Sequence, residues 1–136
     1  MAYEYYLQAH HEKDSQAIPV ESILSVFRDY IKEKDDSSID LQFDEENGCT
    51  IYFDTTATTT DSLMVSRPCG SRLLGECLYR VMLLGNFVFF EPDGKRPITL
   101  SADTEAHLPA DMVNSLGKPA VARDREAFLT LFFNNR

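Results

Sequence analysis

The sequence predicts an α+β fold: one domain over residues 1–136, with a mostly antiparallel sheet of about five to six strands and helices packed on one face. Three observations carry that prediction. The stretch Arg67–Gly94, RPCGSRLLGECLYRVMLLGNFVFFEPDG, reads as a loop, an amphipathic helix, a stop, a buried strand and a turn. The segment LQFDEENGCTIYFD, Leu41–Asp54, puts Asn47-Gly48 between two alternating runs, the strongest short hairpin signal because both turn residues favour positive φ. Strands also outnumber the helical crossovers that a parallel, doubly wound sheet demands. The element order is roughly β-α-β-β-β-α-β-α-α, with no internal repeat, low-complexity linker or second domain.

In chain order, Tyr3, Tyr5, Leu7 and Ala9 alternate with Glu4, Tyr6, Gln8 and His10, the period of a half-buried strand, and His10–Asp14 is a polar turn. Ile18-Pro19 introduces the first helix, whose inner stripe is Val20, Ile23, Leu24, Phe27 and Ile31; Lys32–Ser38 is read as the charged loop that ends it. Ile39, Leu41 and Phe43 alternate with Asp40, Gln42 and Asp44, and Thr50–Phe53 completes the hairpin. Thr55–Asp61 is a polar connection, and Ser62–Ser66 a fourth strand.

Ser71 caps the central helix, which buries Leu73, Leu74, Cys77, Leu78, Val81 and Met82 and leaves Arg72, Glu76 and Arg80 outside. Gly85 is read as a left-handed stop. Phe87–Phe90 is a strand closed by Pro92-Asp93-Gly94, and Pro97–Leu100 extends it or pairs back on it. His107-Leu108-Pro109 leads into a short helix ended by Gly117, and Pro119–Ala122 is a brief edge strand. Asp124 caps a last helix that packs Phe128, Leu129 and Phe132 inward, with Leu131 or Phe133 as a further inward position and Asn134–Arg136 frayed.

Thirteen basic against 22 acidic residues give a net charge of −9, which opposes binding to nucleic acid or to an anionic membrane surface. It suits either a solubility coat or a surface complementary to a basic partner. No apolar run approaches the roughly 20 residues that span a bilayer, and MAYEYYLQAHHEKD has no signal-peptide pattern, so the expected location is the cytoplasm. Three cysteines, an odd number without zinc spacing, fit a reducing compartment.

Candidate chemistry is sparse. The six glycines are scattered and form no phosphate-cradling loop. His10 and His11 point to opposite faces of a strand and His107 is distant in sequence, so no metal is expected. Cys77 reads as a small buried hydrophobe. Cys69, just before the central helix, is the best nucleophile candidate, but a phosphatase arrangement fails because position 75, six residues on, is glycine and not arginine. The carboxylates Asp40, Asp44, Glu45, Glu46, Asp54 and Asp61 gather around one hairpin, and Asp40 and Gln42 face away from Leu41 and Phe43, giving that hairpin a wet acidic face.

The leading Tyr-rich strand, the hairpin LQFDEENGCTIYFD, the run SLMVSRPCGSRLLGECLYRVMLLGNFVFFEPDG and then HLPADMVNSLGKPAVA give a layout that resembles small bacterial immunity proteins of polymorphic-toxin and contact-dependent growth-inhibition systems. That resemblance implies a cytoplasmic, non-catalytic protein; no cofactor is expected, and the oligomeric state is left open with a monomer favoured. Such a protein binds a cognate toxin domain, a basic one and a nuclease among the candidates, and occludes its active site. It carries over no signature residues, so the six carboxylates are the expected toxin-binding set on charge alone. The alternatives are an acidic cytoplasmic secretion chaperone and a small enzyme using Cys69.

Overall fold

The computed structural model describes residues 4–92 and 95–133; Tyr3, Asp93, Gly94 and Asn134–Arg136 lie outside the described residues. Strand β1 (Glu4–His11) runs through the middle of the sheet, flanked antiparallel by β8 (Ser62–Ser66) and β9 (Phe87–Phe90). Beyond β8 the sheet continues through β6 (Gly48–Tyr52), β5 (Ser38–Gln42) and the edge strand β4 (Ile31–Lys34). Beyond β9 it continues through β10 (Ile98–Thr99) and β11 (Ala120–Val121), which pair in parallel. Strand β2 (Asp14–Ser15) folds back on β1, while β3 (Ile18–Pro19) and β7 (Thr59–Thr60) form a separate short pair. The chain is therefore an α+β domain with an open, mostly antiparallel sheet.

Alternation makes one sheet face apolar: Leu7, Ile39, Ile51, Val65 and Phe89 are fully buried and belong to one core cluster. Helices α1 (Val20–Phe27), α2 (Arg72–Met82) and α4 (Arg125–Phe133) supply the other side of that cluster through Phe27, Leu78 and Phe128 among others. The Ser71 hydroxyl accepts the Leu73 N–H at 3.1 Å, and the Asp124 carboxylate accepts the Ala127 N–H at 2.8 Å, as the sequence predicts for both caps. Gly75 costs α2 about 1 kcal/mol relative to alanine. A Cβ there would sit 2.7 Å from Leu129 Cδ2, so glycine lets α4 approach. Leu131 is half-buried against the core, and Phe133 stays 46% exposed. The short α3 (Ala110–Leu116) ends at Gly117, whose φ is 88°.

Four local expectations are corrected. Helix α1 ends at Phe27, and after a 3-10 turn Ile31 begins strand β4 and pairs with Leu41; the exposed edge of β5 recruits residues that were read as helix stripe and loop. Gly85 is not a left-handed stop, since Gly117 alone among the described glycines has positive φ. Its role is close approach, because a Cβ would lie 2.5 Å from Ile18 Cδ1 and 2.6 Å from Gln16 Oε1.

Asn47-Gly48 does not make a two-residue turn. Gln42 pairs with Gly48, leaving a five-residue loop, Phe43–Asn47, because Asp44 captures the loop's N–H groups. The tight two-residue turn of positive φ is instead at Glu12 (49°) and Lys13 (71°), between paired His11 and Asp14. Long-range bonds hold that disfavoured turn: the Glu12 N–H donates to His107 Nδ1 at 2.9 Å, the Lys13 N–H to the His107 carbonyl at 2.8 Å, and Lys13 Nζ to the Leu108 carbonyl at 3.1 Å.

Candidate functional site

The β5–β6 hairpin holds most of the expected binding residues but separates them. Asp40, on the sheet face opposite the core, accepts a hydrogen bond from the Thr50 hydroxyl at 2.7 Å. It borders a shallow depression of about 440 Å³ lined also by Lys32, Glu33 and Arg67, so its surroundings are mixed in charge.

Asp44, Glu45 and Glu46 form the exposed tip of the hairpin. The Asp44 carboxylate accepts from the Glu46 N–H at 2.8 Å, the Asn47 N–H at 2.9 Å and the Asn47 amide at 2.9 and 3.0 Å. The Asn47 side chain first, then these backbone donors, hold its pKa below the ordinary value. Asp44 is thus the residue that shapes the tip, and Glu45 and Glu46 are presented by it.

Asp54 and Asp61 lie at the opposite end of the hairpin, roughly 17 Å away for strands of five residues. They border one depression of about 370 Å³ together with Ser15 and Ala17. Asp54 organises its own loop in the same manner as Asp44, accepting from the Thr56 hydroxyl at 2.7 Å and the Thr56 N–H at 3.0 Å, with its pKa lowered by those bonds in that order.

Two carboxylates outside the expected set join this end. The turn after β4 docks on the segment after β6: the Phe53 N–H donates to the Ser37 carbonyl and the Thr55 N–H to the Asp36 carbonyl, both at 3.1 Å, while the Thr55 hydroxyl donates to the Asp35 carbonyl. Asp35 and Asp36 therefore stand beside Asp54. Their only sequence signal is the Asp-Asp-Ser-Ser run in the charged loop after the first helix, which the structure makes the turn between β4 and β5.

The thiols converge on the core side. Cys49 is buried on the inner face of β6, and burial first, with Cys69 and Cys77 nearby, pushes its pKa up to about 12. Cys77 is also buried, as expected; burial raises it to about 11 against the pull of Arg80, and its Sγ lies 3.9 Å from the Val26 carbonyl. Cys69 is half-buried beyond the Ser66 end of β8, whereas His10 lies beyond the Ser62 end. His107 is also remote from Cys69, stacked on His11 at 5.0 Å between ring centroids. Cys69 therefore has neither His10 nor His107 as an adjacent base. His10 has both ring nitrogens buried without a hydrogen bond among the described residues; burial lowers its pKa, partly offset by the Asp61 carboxylate and the Asp14 carbonyl.

Among the described residues no group of three or more His, Cys, Asp or Glu is placed to hold a metal ion, and no helix is long and apolar enough to cross a membrane. No protein family, no curated protein and no solved structure matches the chain.

Proposed function

We propose that this chain is an immunity protein that binds a cognate, basic toxin domain in the cytoplasm and neutralises it by covering the toxin's active site. The reading rests on the residues that resemble such proteins. The observation that carries it furthest is the built character of the acidic hairpin. Asp44 and Asp54 each fix their own loop through hydrogen bonds, so the backbone that carries Glu45 and Glu46 and the loop after Asp54 are ordered before any partner arrives. A preorganised surface loses less entropy on association. A net charge of −9 steers a basic domain toward it. One interface of roughly 800 Å² per partner reaches both ends of the hairpin.

The test is co-expression in a bacterium of this chain with the toxin domain encoded beside it. Rescue of growth and co-purification are expected. With Glu45→Lys and Glu46→Lys combined, association slows by roughly tenfold at low salt while the fold is unchanged, because steering charges act on the on-rate. Asp44 is left intact in that variant, since its loss would disturb the loop itself. Toxicity that the wild-type chain leaves untouched overturns the proposal.

A further inference from the structure

On the sheet face turned away from the helices, strand register builds a feature that no single segment contains. Tyr52 pairs with Met64, Met64 with Tyr6, and Tyr6 with Phe90, which sets four large apolar side chains in one row across β6, β8, β1 and β9. Each alternates with a buried core residue: Ile51, Val65 or Leu63, Leu7, and Phe89. The Tyr6 and Phe90 rings stack at 5.3 Å with 20° between their planes. Tyr52 is 42% exposed, and Met64, Tyr6 and Phe90 are half-buried. At the usual strand spacing the row spans roughly 14 Å.

The row is flanked by polar and charged residues on the side of the hairpin tip and by a mixed border on the other. Toward the hairpin tip, the next row in register is Asp40, Thr50, Ser66 and Glu4, with Lys32 and Arg67 near Asp40, and beyond it stand the exposed Glu45 and Glu46. Toward the other end, the next row is Ser62, Gln8 and the fully buried Val88; at the β6 edge Tyr52 is followed by Phe53 and Asp54, where the turn carrying Asp35 and Asp36 docks. An apolar centre inside a charged rim is the anatomy of a protein-binding patch, in which buried tyrosines carry most of the affinity and rim charges set the encounter rate. Met64 adds an adaptable side chain at its middle.

We infer that the row Tyr52–Met64–Tyr6–Phe90 is the energetic centre of the docking surface, and that its occupant is a protein domain presenting an apolar patch ringed by lysine or arginine. The assignment rests on the toxin-binding reading above and deepens it: the acidic hairpin is the rim, and the open sheet face is the seat. Charge complementarity selects this occupant over a second copy of the chain, which would bring like acidic rims together.

The experiment uses the full chain and the toxin domain encoded beside it. Binding kinetics are compared for wild type, for Tyr52→Ser with Met64→Ser, and for Glu45→Lys with Glu46→Lys, with unfolding midpoints measured for each. The row variant is expected to dissociate roughly 100-fold faster or more, as loss of central hot-spot contacts does, while the rim variant changes mainly the association rate. A footprint on unmutated protein covers the case of a misfolded row variant: peroxide oxidation of Met64 is expected to slow in the complex.

Wild-type binding that the row variant leaves unchanged, or unslowed Met64 oxidation in the complex, overturns this inference and leaves the immunity reading standing. Absence of any complex with wild type removes both. A dimer of the chain alone that Tyr52→Ser dissolves assigns the row to a second copy and overturns the inference.

Discussion

Ile51 and Tyr52 are neighbours on β6, yet one is fully buried under the helices and the other is 42% exposed on the opposite face. The comparison of these two faces is informative because the same strands, with the same hydrogen bonds, build both. On the inner face, apolar side chains meet residues from α1, α2 and α4, so each is held from several directions. On the outer face, Tyr52 and Met64 meet chiefly their cross-strand partners. Large apolar residues on the two faces therefore sit differently: the inner ones are enclosed by helices, whereas Tyr52 on the outer face stays 42% exposed and only part of that face, at Val88, is fully buried.

Removing one side chain from each face gives the largest separation. Phe128 is fully buried, with Phe132 at 5.7 Å and Phe89 at 6.0 Å between ring centroids. Phe128→Ala is expected to cost about 3–5 kcal/mol, the range for truncating a core aromatic. Tyr52→Ala should cost about 0.2–1 kcal/mol, the scale of a cross-strand pair. Urea unfolding of both variants checks this, and a Tyr52→Ala loss as large as that of Phe128→Ala would make the outer row a second core.

His10 sharpens the comparison from the middle, because by strand alternation it belongs to the outer face and yet buries its ring nitrogens. Its folded pKa lies below the ordinary 6.5, so the unfolded chain takes up the proton first. Its effect on stability is absent well above pH 6.5 and grows as a loss when pH falls from there toward the lowered folded value. The wild-type urea midpoint is expected to drop more between pH 8 and pH 5 than that of His10→Asn. Equal drops would place the acid sensitivity elsewhere.

The smallest effect belongs to the hairpin tip, where Asp44 acts on its own loop. Asp44→Ala is expected to speed amide exchange at Glu46 and Asn47 while the global unfolding midpoint barely moves. Because the folded pKa of Asp44 is depressed, its contribution is present above the ordinary 3.8 and disappears as pH falls through the lower folded value. Unchanged exchange at those two amides would show that the backbone holds the tip without the carboxylate.

The parts of the fold that were legible in the sequence are those fixed by local pattern. Helix α2 with its Ser71 cap, strand β8 over Ser62–Ser66, strand β9 over Phe87–Phe90 and the Asp124-capped helix α4 all follow from periodicity and one capping residue. Less legible were the places where distant segments decide. Ile31–Lys34 becomes a strand because β5 offers it an edge, and Glu12-Lys13 takes positive φ because His107 and Leu108 hold it. The expected carboxylates were readable as a group in sequence, but their division between the sheet face and the hairpin's two ends was not. The aromatic row was illegible for a stronger reason: Tyr6, Tyr52, Met64 and Phe90 come from four separate segments, and only the register across β1 aligns them.

The position of β1 also sets the order in which the chain can mature on the ribosome. Glu4–His11 is made before its main neighbours, residues 62–66 and 87–90, and only its His10–His11 end finds a local partner in β2. The strand that joins the two halves of the sheet therefore waits for β8 on one edge and longer still for β9 on the other. During that interval the β5–β6 hairpin can close from local contacts alone, whereas the outer row stays incomplete until Phe90 is made. The sheet is thus sealed late in synthesis, and a nascent chain arrested before residue 87 would carry the β5–β6 hairpin but lack Phe90, the last member of the outer row.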